Sequence, residues 1–307
     1  MNNRTEIIQT AVGPIQAKNL GRTYIHEHLR INLSAQKNDP DADLNEPAII
    51  SAELRYLKKL GIDSLIEVTN LGMGRDVAIL KQLAEASGIN VIVSTGFYKE
   101  PFLPPYVMEM DEASLAAILS KEILYGIDDT GIKAQVIGEI GTSKNEITPD
   151  ELKIFKAAAR AHQETGAPIS THTTLGTMAI EQLKILQEEQ VALSKVVIGH
   201  LDLHCDFDYY LRIADYSCFL GFDTIGKLKY ESDEKRSSLI EKLIRKGYLN
   251  QIVLSQDITR RSHLKANGGT GYSYLWEEFI PKLIMAGVGA DEIDIMLIDN
   301  PQRLLAG

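Results

Sequence analysis

The chain has 307 residues, and its 44% hydrophobic and 24% charged content is typical of a folded globular protein, which excludes a disordered or fibrous chain. Its 42 Asp and Glu outnumber its 32 Lys and Arg, and the formal net charge of −10 argues against nucleic acid as a partner. The sequence shows no apolar run of about 18 residues and no leader-like start, so we expect a cytoplasmic protein without a membrane partner.

Short β-branched runs alternate along the chain with longer stretches of helical periodicity, the pattern of βα units around a parallel sheet. Glycines close several of the helical stretches, as in AEASG and HQETG. Eight such runs follow in order, at 23–28, 64–69, 91–95, 135–139, 169–172, 196–200, 219–223 and 252–257.

Eight strands are the number that a closed (β/α)8 barrel needs. We therefore predict a single TIM-barrel domain over residues 1–307, with its active site at the C-terminal ends of the strands. An open doubly wound sheet is the alternative, but the GxGxxG turn that this fold would place after an early strand is absent from the sequence. The long irregular segment 259–274 follows the last run, so it should lie over the barrel mouth.

Polar residues stand where most of these runs end, which is where barrel enzymes carry their catalytic groups. His26 and His28 are two apart on a strand and share one face, whereas Glu27 points to the other. The later runs end, in chain order, in Glu139, His172, His200, Asp223 and Asp257.

Imidazole and carboxylate groups at matched strand ends suggest a metal site, although a single histidine at a strand end is more often a hydrogen-bonded structural residue. Four histidines and two carboxylates are too many for one tetrahedral zinc but suit two ions with a shared ligand. Glu139 lies across the barrel from the first-strand histidines and is the natural bridge. The predicted ligands are His26, His28, Glu139, His172, His200 and Asp257, with zinc favoured and manganese, cobalt and nickel as alternatives.

The motifs GRTYIHEHL, VIGEIGTS, ISTHT, VIGHLD, FDTIGK and LSQDITRRSHLKANGG, taken together, resemble the binuclear-metal phosphotriesterases of the amidohydrolase superfamily, and most closely the phosphotriesterase homology proteins. The resemblance implies a (β/α)8 barrel. It also implies that His26, His28 and Asp257 hold a more buried ion, that His172 and His200 hold a more exposed one, and that Glu139 bridges the two.

Two positions depart from the pattern of typical phosphotriesterases. Glu139 stands where those enzymes and their lactonase relatives carry a carboxylated lysine, and Lys133, six residues earlier, is no substitute. Thr224 follows Asp223 where an Asp-His proton relay is expected. Because the homology proteins share the glutamate, we expect metal binding to be kept, whereas organophosphate activity does not carry over.

The predicted reaction is hydrolysis of a small ester or lactone, with a metal-bridging hydroxide as nucleophile. Asp257 is the predicted catalytic residue, which passes a proton to the leaving oxygen. The alternatives are an organophosphate triesterase, an amidase or deaminase of the same superfamily, and a metal-binding protein without activity. The partner is a small-molecule substrate, and monomer and homodimer are both compatible with such a barrel.

Basic residues gather in the loops that should form the mouth, although the chain as a whole is acidic. Guanidinium groups match carboxylate and phosphate, so the substrate is expected to be anionic or phosphorylated. The alternative is a solvated loop whose cations pair with acidic neighbours. The predicted substrate-binding residues are Tyr98, Lys227, Arg260, Arg261 and Lys265.

Overall fold

Eight parallel strands form a barrel in the computed structural model, which describes residues 6–306. The strands are hydrogen-bonded to one another in sequence order, which confirms the predicted TIM barrel. They are β1 (Arg22–Glu27), β2 (Ile62–Glu67), β3 (Asn90–Thr95), β4 (Val136–Thr142), β5 (Ile169–Thr173), β6 (Val196–Gly199), β7 (Phe219–Phe222) and β8 (Ile252–Leu254).

All eight predicted strands are present, but two of them end three residues away from the end that the sequence pattern suggested. Strand β4 continues past Glu139 to Thr142, whereas β8 stops at Leu254, so Asp257 lies in the loop that follows it. The barrel closes between β1 and β8 through a side chain. The Ser255 hydroxyl accepts from the His26 N–H at 3.1 Å and donates to the His26 carbonyl at 2.7 Å.

The helices form the outer layer and the connections. They are α1 (Ser34–Lys37), α2 (Pro47–Lys59), α3 (Val77–Ser87), α4 (Tyr106–Glu109), α5 (Glu112–Leu124), α6 (Pro149–Thr165), α7 (Ala179–Glu188), α8 (Phe207–Ala214), α9 (Asp233–Arg245), α10 (Ile280–Met285), α11 (Ala290–Asp294) and α12 (Asn300–Leu305). Local chemistry sets several ends: Thr148 and Glu151 form a capping box on α6, and Gly166 ends that helix in a left-handed conformation. Within residues 6–306, no helix is both long and apolar enough to span a bilayer.

Two apolar layers hold the barrel together. One joins the outer faces of the strands to the helices, and buried residues such as Leu65 and Leu220 belong to it. The other consists largely of the alternate strand residues, which point inward and fill the barrel interior. Its strand members are Ile25, Ile66, Ile92, Val136, Val197, Phe219 and Val253.

The loops at the C-terminal ends of the strands build the mouth of the barrel. The loop after β1 holds α1 between two short antiparallel strands, Ile31–Asn32 and Asp43–Leu44. The segment 259–274 folds over the mouth as expected, and the buried Tyr272 anchors it by donating to the His28 carbonyl at 2.6 Å.

A buried ion-pair network supports the loop after β7. The fully buried Arg236 of α9 donates to Asp202 and to Asp233, each at 2.9 Å. Asp202 in turn accepts the backbone N–H groups of Asp223 at 3.3 Å and Thr224 at 3.2 Å. The network thus fixes the backbone at the end of β7, beneath the site described below.

We expect Arg236→Met to lower the free energy of unfolding by about 3–5 kcal/mol, because two buried carboxylates lose their counter-charge. Urea denaturation followed by circular dichroism measures the change. Arg245→Met on the same helix is the matched control, since Arg245 is exposed and pairs with Glu241 and Glu292 at the surface. That control should lower the free energy of unfolding by at most about 1 kcal/mol. Equal losses in the two variants would contradict the assignment.

Candidate metal centre

The six predicted ligands converge at the bottom of a cavity of about 540 Å³ at the C-terminal end of the barrel. His26 and His28 come from the end of β1, Glu139 from β4 and His172 from β5. His200 and Asp257 lie just past the ends of β6 and β8. The strand order therefore brings residues from five separate strands and the loops that follow them into one cluster.

Glu139 lies at the centre of this cluster, within reach of all four histidines. One of its oxygens is 3.3 Å from His28 Nε2. The other is 3.1 Å from His172 Nδ1, 3.5 Å from His200 Nε2 and 3.7 Å from His26 Nε2. This carboxylate can therefore be shared between two ligand sets.

Two such sets have their ligand atoms close enough together to hold an ion. One consists of His26, His28 and Glu139, and the other of Glu139, His172 and His200. Asp257 adjoins the first set, with its Oδ1 3.1 Å from His28 Nε2 and 3.8 Å from His26 Nε2. Two ligand sets that share one carboxylate are the arrangement of a bridged binuclear site.

The donor atoms of this cluster fit metal ions. Both ring nitrogens of His26 and the Nε2 atom of His28 are buried without a hydrogen-bond partner among the described residues. Leaving buried polar groups unsatisfied is costly, and a divalent cation would satisfy these nitrogens. Imidazole nitrogens with carboxylate oxygens are the ligands that zinc and its neighbours prefer.

The protonation states of the shared carboxylate of Glu139 and of His172 also favour metal binding. Burial raises the pKa of Glu139, but the four histidines, led by His26, outweigh it and hold that pKa well below its usual range. Burial, aided by the charge of His200, lowers the pKa of His172 to about 4. At neutral pH these groups are a carboxylate and a neutral imidazole, the forms that coordinate metals.

The backbone departs from regular geometry at several of these positions. One extra residue enters β1 between Tyr24, which pairs with Leu65, and Glu27, which pairs with Glu67. A similar shift occurs in β4 around Glu139. Such bulges re-aim side chains next to functional sites. His200 (φ 60°) and Asp257 (φ 56°) adopt the left-handed region, a strain that clusters at active sites.

A second layer of buried groups orients the histidines. The Thr69 hydroxyl lies 2.7 Å from His28 Nδ1 and donates to Glu67. Asp223 accepts the backbone N–H of His200 at 2.7 Å and lies 2.9 Å from its Nδ1. Partners of this kind fix the ring orientation of metal ligands.

Asp223 contributes more than the sequence analysis assigned to it. The sequence predicts it only as part of an incomplete proton relay, yet His26, His200 and Asp223 form a third group with metal-ligand spacing. Its position at the end of the seventh predicted strand was the signal that could have added it to the site.

The predicted substrate residues divide into two groups. Tyr98, Lys227 and Arg260 line the cavity. The Tyr98 hydroxyl lies 3.2 Å from His172 Nδ1, and the Lys227 ammonium pairs with Asp257. These three side chains stay candidates for contact with a substrate.

Arg261 and Lys265 do not line this cavity, contrary to the sequence interpretation. Arg261 turns outward to Glu46, 3.0 Å away, and Lys265 lies 3.0 Å from Glu277 on the outer side of the loop. Their charges are matched by acidic residues of neighbouring segments, which a loop sequence alone does not reveal. The structure therefore offers no contact between either residue and a molecule in the cavity.

Glu27 is the buried last residue of β1, and its carboxylate binds the backbone on both sides of Asp257 in the loop after β8. It accepts the N–H of Gln256 at 2.8 Å and that of Ile258 at 3.1 Å. The Ser255 hydroxyl also lies 2.7 Å from Glu27 Oε1. Glu27 therefore holds the left-handed turn that aims Asp257 at the cluster.

We expect Glu27→Gln to reduce metal affinity by about 10- to 100-fold, because the amide NH2 would face N–H donors and release the turn around Asp257. Titration of chelator-treated protein with zinc measures the change. Glu53→Gln is the matched control, since Glu53 holds the same loop farther from Asp257, at the N–H groups of Lys265 and Tyr272. Equal metal affinity in wild type and Glu27→Gln would rule out this positioning role.

The chain resembles proteins of one family in both sequence and structure. The sequence model of the Phosphotriesterase family matches residues 6–305. The phosphotriesterase homology protein of Escherichia coli K12 is 47% identical over 92% of this chain and 97% of that protein. A crystal structure of the E. coli protein with phosphate in its active site superposes with a TM-score of 0.92 at 46% identity, covering 94% of this chain and 99% of that one.

Two further relatives carry names that describe an activity. The N-acetyltaurine hydrolase of Mus musculus is 33% identical over 99% of this chain and 99% of that protein. The crystal structure of a lactonase from Listeria monocytogenes superposes with a TM-score of 0.93 at 30% identity, covering 98% of this chain and 99% of that one.

Proposed function

Because this chain belongs to the phosphotriesterase family and is a hydrolase of ester or amide-like bonds, we propose that it hydrolyses a small lactone or ester with two divalent metal ions as cofactors. The observation that carries the proposal is the pair of ligand sets that share Glu139 at the bottom of an open cavity. The similarity to a lactonase supports the choice of bond.

The ligands would divide between the two ions by position. His26, His28 and Asp257 would hold the more buried ion, and His172 with His200 the more exposed one, while Glu139 would contact both. When bound, such ions would lower the pKa of water toward about 7 and polarise a carbonyl oxygen. We propose zinc as the resident metal, in a cytoplasmic protein.

Asp257 is the group that we assign to proton transfer. Burial raises its pKa, but the ammonium of Lys227 and the nearby histidines outweigh this and hold the pKa well below the usual range. It is therefore a carboxylate at neutral pH, and it lines the cavity next to His28. A carboxylate so placed can accept a proton from the attacking water and deliver it to the leaving oxygen.

Amide hydrolysis is the second candidate, favoured by the similarity to an N-acetyltaurine hydrolase over 99% of both chains. The same centre serves either reaction, since both begin with attack of water on a carbonyl carbon. Organophosphate hydrolysis is disfavoured by Glu139 as the bridging ligand and by Thr224, whose N–H is tied to Asp202, in place of a relay histidine.

Initial rates on a panel of matched compounds test the proposal. The metal-loaded protein is assayed with a γ-lactone, the open-chain methyl ester, the N-acetyl amide of equal length and an aryl phosphotriester. We expect the lactone or the ester to give a kcat/KM at least about tenfold above the amide and the triester. A preference for the amide would replace the first candidate by the second, and no turnover of any compound would overturn both.

A further inference from the structure

Some of the basic residues around the cavity are already paired with a carboxylate, whereas others are not. Arg260 pairs with Asp39 and Asp41, and Lys227 pairs with Asp257. His263 also lines the cavity, but burial and the charge of Lys227 lower its pKa to about 4, so it is neutral at neutral pH. These three side chains therefore leave little uncompensated positive charge for a ligand.

Two lysines of other loops stand in contrast. Lys37 ends α1 in the loop after β1, and Lys99 lies in the loop after β3; both line the cavity. Among residues 6–306, no carboxylate lies within ion-pair distance of either ammonium. The Lys99 ammonium donates to the Glu100 carbonyl at 2.7 Å, which leaves two of its protons free.

Both ammonium groups lie against the same aromatic ring. They are 5.7 Å (Lys37) and 5.6 Å (Lys99) from the ring centroid of Phe102, and Lys99 is also 5.8 Å from that of Tyr98. An aromatic face attracts a cation but does not neutralise its charge. Partial burial lowers the pKa of both lysines, because the charged form loses solvation there.

We propose that Lys37 and Lys99 form a subsite for a compact oxyanion, a carboxylate, sulfonate or phosphate group carried by the substrate. Phe102 is partly buried against the hydrophobic core and gives the subsite an apolar wall next to both ammonium groups. Tyr98 links it to the metal centre, since its ring lies 5.4 Å from that of Phe102 and its hydroxyl contacts His172.

The subsite would fix the orientation of the substrate in the cavity. The anionic group would lie on the side of the loops after β1 and β3, and the bond to be cleaved would lie over Glu139. This orientation rests on the proposed hydrolytic function, whereas the binding of the anion does not.

Equilibrium binding tests the subsite without any assumption about the reaction. The metal-containing protein is titrated by calorimetry with propionate, ethanesulfonate and ethyl phosphate, and with ethanol as the uncharged probe. We expect at least one anion to bind and ethanol not to bind. Lys37→Gln and Lys99→Gln should each lower the affinity for the anion by about tenfold or more, which corresponds to the loss of a charge-assisted hydrogen bond.

Lys229→Gln is the matched control, because Lys229 also lines the cavity but is exposed and stacks on its neighbour Tyr230, 4.7 Å from the ring centroid. The control should bind as wild type does. Thermal unfolding of each variant shows that the fold is kept. No anion binding by the wild type, or binding that both variants retain in full, would overturn the subsite.

A matched pair of substrates then separates the subsite from the reaction. A γ-lactone with a terminal carboxylate is compared with the same lactone ending in a methyl group. We expect the two variants to lose about tenfold in kcat/KM on the anionic lactone and less than about twofold on the neutral one. Equal losses on both would contradict the subsite. Turnover of neither by the wild type would remove the proposed function while the calorimetric result stands.

Discussion

Replacing Glu139 with alanine is expected to remove one or both metal ions from each chain. Glu139 is the only residue common to the two ligand sets, and it lies within 3.7 Å of a nitrogen of every ligand histidine. Its loss would leave each set with two histidines, too few for a stable site without Asp257. Elemental analysis of protein purified without chelator should give about two ions per wild-type chain and at most one in the variant.

Glu146→Ala is the matched control, since Glu146 is an exposed glutamate in the loop that follows the same strand. It should keep the full metal content. An unchanged metal content in Glu139→Ala would contradict the bridge and point to an ion held by other groups. Complete absence of metal in the wild type, even after reconstitution, would remove the binuclear site altogether.

Asp257→Asn is expected to keep the fold and lose most turnover, by about 10²- to 10⁴-fold in kcat. The amide of Asn cannot take a proton from water, but it has the same size as the carboxyl group of Asp. The hydrogen bonds from the neighbouring backbone N–H groups to Glu27 are unchanged. Thermal unfolding checks the fold, and steady-state rates on the best compound of the panel give kcat and KM.

Metal content distinguishes the two roles that we assign to Asp257. Loss of turnover with about two ions retained would support proton transfer, whereas loss of an ion would make Asp257 chiefly a ligand. Full activity in the variant would exclude both. Asp223→Asn is a useful companion, because Asp223 is buried beside His200 but does not line the cavity.

The sequence predicted the parts of the site that depend on strand order. Alternation of β-branched runs with helical stretches placed His26, Glu139, His172 and His200 at one end of a barrel, and the structure brings them together. Side-chain periodicity also predicted that His26 and His28 share a face, since both reach Glu139.

The features that the sequence did not predict depend on contacts between distant segments. Arg261 was expected at the mouth, but Glu46 of another loop draws it outward. Lys37 was overlooked because its distance from Phe102 follows from the fold of two separate loops. Glu27 was recognised only as pointing away from the histidines, since its partners lie more than two hundred positions along the chain.

The Ser255 hydroxyl, which joins β1 to the end of β8, also bears on the order in which the molecule forms. It connects groups 229 positions apart in the chain, so loop closure over nearly the whole sequence must precede this contact. A nascent chain that still lacks the last strand would hold the four predicted ligand histidines and Glu139, but it would lack both Asp257 and the Ser255 contact that fixes the backbone of His26. High-affinity metal uptake should therefore be a late event of biosynthesis and should report that the barrel has closed.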